Sequence, residues 1–502
     1  MPSSAATDSH LLLVPLPVFG HIRPACILAA RLVLERDNVV VTFFAPPRDL
    51  EQVRKDITNQ FPESLIAPGV KENALKRIRI VTTFKSTDDN IVNVFIPFFQ
   101  SYPVAYETLY HGKPFTCATT GEVFDALPPP VAVVLDLCSF AQFHATRALS
   151  GTSVPIVLFL PATASYFVRG FGPESLGGIG DFGKRVDEEA VRLGVSPDEI
   201  GDKLPFDAPI APIIRGGIQI LNECDAVLIA TSHSYEEASL IQVKSWFKSL
   251  PQDPPLYAIG PLLPPGYGRR SVESPESKTN QVERDLQAFL KEMQSKYGER
   301  SVVFISFGTN CWPTVPEYVD EVVQALIEKK VPFILCHASP LAKILEETAN
   351  KVKSSGLGFI TTWAPQQYVF NHPATGWFLT HGGNGGVTEA LGCGIPMICW
   401  PFNADQPTTS AHLSCTLKVA FELVEVRTGP DGLKPMQRNG LAPKGTREAV
   451  GKEIREVLEA CRSERADELR RNAQEMKRKF ENAWEDDGEA KRDLNAFLAR
   501  YA

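Results

Sequence analysis

Residues 363–406 read WAPQQYVFNHPATGWFLTHGGNGGVTEALGCGIPMICWPFNADQ. An apolar run, 377–379, closes on Thr380 and His381. Gly382, Gly383, Gly385 and Gly386 then precede a helical pattern over 387–391. A strand, a glycine turn and a helix start together present unpaired backbone N–H groups and a positive dipole end, a ready site for an anion. His381 adds a donor at the same mouth. Glu389, read as lying in the first helical turn, can accept two hydrogen bonds from a vicinal diol such as a ribose. Trp363 ends a different strand at the same carboxyl edge and can stack on a flat base. Asp405 and Gln406 follow the next strand and offer acceptors and donors to sugar hydroxyls. Each residue also has a plainer role: Trp363 as core, Glu389 as a favourable charge at a helix start. Their order along the chain, however, matches base, ribose, diphosphate and sugar, and describes a nucleotide-sugar pocket.

Outward from this stretch, apolar runs alternate with helical patterns. In the N-terminal half, 11–14, 39–44, 78–81, 131–135, 156–160 and 226–229 read as buried strands, and 24–34 and 140–149 as helices between them. After residue 280 the alternation restarts, with strands at 301–306, 332–336, 358–361, 377–380 and 397–400. Strands separated by helices pair in parallel through crossover connections, so each half is a doubly wound α/β domain. Between them, 251–275 holds seven prolines in twenty-five residues and is followed by polar sequence to Asn280, which reads as a linker. Two such halves leave a cleft that can grip a ligand from both sides. The last segment, 447–502, is charge-rich with spaced apolar residues and reads as an amphipathic pair of surface helices.

Composition narrows the function. The 502 residues suit two or three domains at about 100–200 residues each. A net charge of −8 disfavours a partner with a polyanionic surface, nucleic acid or acidic membrane. The most apolar uncharged stretch, 154–168, is broken by Pro155 and Pro161 and falls short of the ~20 residues of a membrane span. Residues 1–9 carry Asp8 and no Lys or Arg, unlike a secretory leader. Ten scattered cysteines without Cys-x-x-Cys read as reduced thiols of a cytoplasmic protein. Gly178-x-Gly180-x-x-Gly183 followed by Lys184 imitates a nucleotide loop. No strand precedes it, and Arg185 stands where a metal-binding hydroxyl belongs, so it reads as a surface loop. No two aspartates lie two apart, so a metal-binding Asp-x-Asp element is missing.

The 363–406 segment resembles the nucleotide-sugar signature of the family 1 UDP-glycosyltransferases, an inverting family with the two-domain GT-B fold. Trp363-Ala364-Pro365-Gln366, His381, Glu389 and Asp405-Gln406 fall at that family's spacing. Ser306-Phe307-Gly308-Thr309 is similar to its Phe-Gly-Ser/Thr loop near the phosphates, and Tyr257-Ala258-Ile259-Gly260-Pro261 to the segment entering its linker. The resemblance implies an α/β protein of two Rossmann-like domains facing each other across a cleft. An acceptor-binding domain would occupy 1–250, a linker 251–280 and a UDP-sugar-binding domain 281–480. A C-terminal helix, 481–502, would pack back on the first domain. It implies that Trp363 stacks the uracil, that Gln366 and Glu389 hold base and ribose, and that His381 holds the diphosphate. Asp405 and Gln406 would bind the sugar, with Gly308, Thr309, Ala364, Gly383, Asn384, Gly385 and Gly386 completing the site. The chain departs from the plant pattern His-Cys-Gly-Trp-Asn-Ser. It reads His381-Gly382-Gly383-Asn384-Gly385-Gly386, closer to the animal and microbial branches, as does Ala404-Asp405-Gln406-Pro407.

On the acceptor side, residues 11–14 run through Pro15–Phe19 into Gly20-His21-Ile22-Arg23-Pro24 and a helix. A helix N-terminus disfavours an imidazolium and keeps His21 a neutral base. Asp136 follows the 131–135 strand at the carboxyl edge, where α/β ligands gather; alone, it also reads as a helix N-cap. Both match the family's catalytic pair. The resemblance implies that His21 deprotonates an acceptor hydroxyl while Asp136 braces its other ring nitrogen. Phe84, Phe95, Phe98, Phe99, Phe115, Tyr166 and Phe167 form an aromatic group that suits either core or a lipophilic acceptor pocket. The expected protein is thus a cytoplasmic monomer without metal, cofactor or membrane anchor. It takes UDP-glucose, suggested by Gln406, and a small lipophilic alcohol or phenol. UDP-glucuronic acid as donor, or a nucleotide-sugar epimerase of the same fold, fits the same residues.

Overall fold

The computed structural model describes residues 8–88, 91–178, 210–265, 267–268 and 281–502, with the single positions 180, 191, 194 and 196. Most of the 178–185 loop, the 269–280 part of the expected linker and the first seven residues lie outside the described residues. The chain forms two compact units, Met1–Pro265 with Ala483–Ala502, and Gly266–Asn482.

In the first unit, strands β1 (Ser9–Val14), β2 (Val39–Phe44), β3 (Ile78–Val81), β6 (Ala132–Asp136), β7 (Ile156–Leu160), β8 (Ala226–Ile229) and β9 (Leu256–Ala258) make one parallel sheet. Its order is β3-β2-β1-β6-β7-β8-β9. A short antiparallel pair, β4 (Phe115–Thr116) and β5 (Val123–Phe124), stands apart. Strands buried on both faces need continuous apolar sequence, and β1, β2, β6 and β7 are buried at every residue. Alternate side chains serve opposite layers: Leu11 and Leu13 join the core under helix Phe19–Glu35, Leu12 and Val14 the core with Phe98 and Tyr102 of helix Ile91–Tyr110. β9 falls inside the proline-rich stretch read as linker. Its main-chain pairing with β8 extends the sheet, and helix Glu489–Tyr501 covers this edge, with Asp493 Oδ2 accepting from Ala258 N at 2.7 Å.

In the second unit, β10 (Val302–Ser306), β11 (Phe333–Cys336), β12 (Gly358–Thr361), β13 (Thr375–Thr380), β14 (Met397–Cys399) and β15 (Ala420–Glu422) form a parallel sheet in the order β12-β11-β10-β13-β14-β15. Counted from its first strand, each sheet begins 3-2-1-4-5-6, the doubly wound order whose direction reverses between its first and fourth strands. Those reversal points are β1/β6 and β10/β13. The C-terminal segment holds three helices rather than a pair: Arg447–Ala460, Glu464–Asn482 and Glu489–Tyr501. Among the described residues no helix is long and apolar enough to cross a membrane.

Candidate active site

At the carboxyl edge of the first sheet, the β1/β6 reversal brings two distant residues together. Helix Phe19–Glu35 starts five residues before the 24–34 span read from sequence, because Pro24 is carried inside it rather than opening it. His21 therefore occupies the first turn, its own N–H bonded to Val18 O at 2.9 Å. Asp136 is the last residue of β6. His21 Nδ1 lies 2.6 Å from Asp136 Oδ2, with the carboxylate side chain fully buried and the imidazole 31% exposed. The other carboxylate oxygen accepts from Cys138 N at 3.0 Å, so both oxygens are directed. A carboxylate that accepts from Nδ1–H leaves the lone pair of a neutral imidazole on Nε2. Burial and the Asp136 charge together push the Cys138 thiol well up, so it stays protonated beside the pair.

The second sheet gathers the other predicted residues along its carboxyl edge. Gly308 and Thr309 follow β10, Trp363 and Ala364 follow β12, His381 follows β13, and Asp405 and Gln406 follow β14. From β12 to β14 are four inter-strand steps, roughly 19 Å at ~4.8 Å each, room for an extended ligand. Trp363 is 50% exposed, so it is not a core residue. Its backbone is pinned by Thr361 Oγ1, which donates to Trp363 O at 2.7 Å. Gln366, the first residue of helix Gln366–Asn371, donates through Nε2 to Glu389 Oε2, joining the two residues expected at base and ribose.

At the β10/β13 reversal, His381 packs between two glycines. A Cβ on Gly308, whose φ is +75°, would sit 3.0 Å from His381 Cε1 and Nε2; one on Gly383 would sit 2.4 Å from Nε2. The ring fits only because both positions lack side chains. Burial lowers the His381 pKa to about 4, with the Ser306 backbone opposing the fall, so it is a neutral donor or acceptor near pH 7. Its Nδ1 is buried with no hydrogen-bond partner among the described residues. The adjoining helix is Asn384–Gly392, which starts earlier than the 387–391 pattern suggests. Gly385 and Gly386 thus lie in its first turn rather than before it, and Glu389 belongs to the second turn. Residues without Cβ in a first turn leave its unpaired N–H groups open to approach.

Other expectations need correction. Phe98, Phe115 and Phe167 are at most 7% exposed and belong to the core of the first unit, not to a pocket wall. Phe115 lies 5.9 Å from Phe44 of β2 between ring centroids, and Phe167 lies 5.1 Å from Trp246 of helix His233–Phe247. Phe84, Phe99 and Tyr166 pack half-buried against that core, and Phe95 is likewise half-buried, 5.9 Å from Phe99 between ring centroids. Two residues that sequence reasoning passed over, Cys311 and Asn403, hold the Gln406 amide. Cys311 belongs to no motif and Asn403 stands within the 363–406 stretch without an assigned role; only their nearness in sequence to Thr309 and Gln406 hinted at them.

Two doubly wound units of this strand order make the GT-B fold. Residues 278–429 match the family model described as UDP-glucoronosyl and UDP-glucosyl transferase. Across 97% of the chain and 98% of the relative, the sequence is 27% identical to UDP-glycosyltransferase eriJ of Hericium erinaceus. Among solved structures, a UGT transferase from Siraitia grosvenorii in complex with UDP superposes with a TM-score of 0.66 at 19% identity, covering 98% and 99% of the two chains. UGT71G1 of Medicago truncatula complexed with UDP-glucose gives 0.65 at 19% identity over 98% of each chain. The chain belongs to the family 1 UDP-glycosyltransferases and is an enzyme that uses a UDP-sugar.

Proposed function

We propose that this enzyme transfers glucose from UDP-glucose to a hydroxyl of a small lipophilic acceptor, of phenol, flavonoid or terpenoid type, with inversion at the anomeric carbon. The first unit supplies acceptor binding and the base, the second the donor site. In this reading His21 Nε2 takes the proton of the acceptor hydroxyl as its oxygen bonds to the anomeric carbon. The bond from that carbon to the β-phosphate oxygen breaks, and UDP departs with the electron pair. Asp136 keeps Nδ1 protonated and stabilises the imidazolium as it forms. Neutral His381 and the N-terminal turn of helix Asn384–Gly392 stabilise the leaving diphosphate, so the reaction calls for no metal. Trp363 stacks the uracil, Gln366 and Glu389 serve base and ribose, and Asp405 and Gln406 the sugar. Gln406 and the UDP-glucose bound by the Medicago truncatula relative support glucose. Ten free thiols support a cytoplasmic setting, in which the enzyme acts as a monomer.

The observation that carries this reading is the 2.6 Å contact between His21 and a fully buried Asp136 whose second oxygen is also held. The test is His21→Ala, assayed by mass spectrometry with UDP-glucose and a panel of phenols and terpenoid alcohols. Turnover should fall by roughly 10²–10⁴-fold, the usual contribution of a general base, with UDP affinity unchanged. Near-native turnover on an ordinary alcohol would remove His21 from the mechanism.

A further inference from the structure

Helices Ile91–Tyr110 and Phe140–Ser150 meet along a polar seam in the first unit. Tyr102 Oη donates to Thr146 Oγ1 at 2.6 Å, and Thr146 Oγ1 in turn to Gln142 O at 2.8 Å. Tyr106 Oη donates to Ser150 Oγ at 2.9 Å, and Ser150 Oγ to Thr146 O at 2.8 Å. One turn earlier on each helix stand Phe98, which has no hydroxyl, and Gln142. Gln142 is 1% exposed, and neither its Oε1 nor its Nε2 has a hydrogen-bond partner among the described residues. The same holds for Oγ of the fully buried Ser139. Ser139-x-x-Gln142 has the pattern of a capping box, in which each side chain would bond the other residue's main-chain N–H. That box is not made: the Ser139 N–H is already given to Asp136 O at 2.9 Å, and the Ser139 side chain makes no cap. Three buried polar atoms thus stand unpaired at the start of helix Phe140–Ser150, where the first main-chain N–H groups also lack partners within the helix. Buried polar groups are costly unless something bonds them, and this chain supplies nothing that does.

We propose that Ser139 and Gln142 form a subsite for a carbonyl oxygen of the acceptor, and so select acceptors that carry a carbonyl beside the reacting hydroxyl. The bond from Ser139 N to Asp136 O closes a four-residue turn, which holds the two Cα atoms within about 7 Å. The subsite therefore adjoins the His21–Asp136 pair, within reach of a substituent on the ring that bears the hydroxyl. Side chains of a helix lean back over the preceding turn, so Gln142 extends toward Ser139. The Gln142 –NH₂ and the Ser139 hydroxyl are two donors, matching the two lone pairs of one carbonyl oxygen. A carboxylate suits the place less well, because Asp136 Oδ1 already accepts from Cys138 N there and like charges repel. No hydrogen bond holds either side chain. Turning toward the open side of this helix start, fronted by half-buried Cys138 and Phe140 and exposed Ala141, therefore breaks none. The inference rests on the reading that His21 receives the acceptor hydroxyl.

The experiment measures kcat/KM with UDP-glucose for 2- and 3-hydroxyacetophenone and for the matching ethylphenols, which keep the shape and lack the carbonyl. The wild type is compared with Gln142→Met, close in shape but without the amide, and with Ser139→Ala. Comparing each acceptor between wild type and variant cancels the differing acidity of the phenols. Gln142→Met should lower kcat/KM for the hydroxyacetophenones by about five- to tenfold, the range of one hydrogen bond, through KM, and for the ethylphenols by less than about twofold. Ser139→Ala should act in the same direction. Both variants should melt no lower than the wild type, since each removes an unpaired buried polar group. Equal effects on the two acceptor sets, or none on either, overturn the subsite, as does a raised melting temperature with the acceptor ratio unmoved. His21→Ala separates the layers. If it abolishes turnover while Gln142→Met leaves the ratio as in the wild type, the base stands and the carbonyl subsite falls. If Gln142→Met moves the ratio while His21→Ala turns over normally, the subsite stands and the assigned base falls.

Discussion

Replacing Asp136 with Asn tests the catalytic pair with almost no change in shape. The carboxylate has two directed bonds, one accepting from His21 Nδ1 at 2.6 Å and one from Cys138 N at 3.0 Å. An asparagine has a single oxygen to meet these two donors. With that oxygen toward Cys138, its –NH₂ faces His21 Nδ1, the imidazole shifts its proton to Nε2, and the base is lost. With the amide flipped, the oxygen meets His21 but the –NH₂ confronts the Cys138 N–H, leaving a buried donor unpaired at a cost of about 1–3 kcal/mol. At ~1.36 kcal/mol per tenfold, that cost alone reduces the competent arrangement by roughly 5- to 150-fold. The neutral amide also stabilises the imidazolium less than a carboxylate does, so the total should reach about 10²–10⁴ in kcat. The assay is steady-state glucosyl transfer from UDP-glucose to a phenol, with UDP affinity measured in parallel. Asp136 belongs to the first unit and the residues proposed to bind UDP to the second, so UDP should bind as in the wild type. A kcat within about threefold of wild type would refute the bracing role of Asp136.

Two further outcomes follow from packing and burial. Gly383→Ala places a methyl group 2.4 Å from His381 Nε2, in a ring already confined by Gly308; overpacking of about 1–3 kcal/mol should displace the ring and weaken UDP at least severalfold by titration, with the far-UV spectrum retained. His10, buried in β1 between Pro128 O at 2.9 Å and Thr42 Oγ1 at 2.8 Å, has its pKa lowered to about 4 by burial. The unfolded chain then binds more protons than the folded one between pH ~6.5 and ~4, so stability is full above that window and falls as pH drops through it, by on the order of 3 kcal/mol. His381 acts in the same direction, whereas Glu453, raised to about 7 by burial, gains stability as pH falls. His10→Asn should lower the melting temperature at pH 7.5 yet flatten its decline toward pH 5; an unchanged decline would remove His10 as a source of acid sensitivity.

The candidate residues, and the strand ends they follow, were readable before any coordinates. The period of apolar runs marked most strands, since a strand buried on both faces cannot be other than apolar. The 363–406 stretch named residues that the fold sets after successive strands of one sheet, because strand, turn and helix start alternate along it. Reading failed where local pattern was ambiguous. β9 hid among prolines because only its pairing with β8 makes it a strand. The first turn of helix Asn384–Gly392 hid among glycines, whose propensity argues for a turn. Phe98 and Phe167 read as readily for a pocket as for core, because an aromatic ring is the same residue in either place.

The sequence by itself determined the alternation of strand and helix, the glycine turn beside His381 and the residue types gathered around it. Those follow from periodicity and backbone freedom, which act over a few residues. Tertiary structure alone decided that β6 lies beside β1, setting Asp136 against a histidine 115 residues away, and that Gln406 turns its oxygen inward to two main-chain donors. Strand order and amide orientation depend on pairings between distant segments, and no local propensity encodes which partner a strand or a side chain will find.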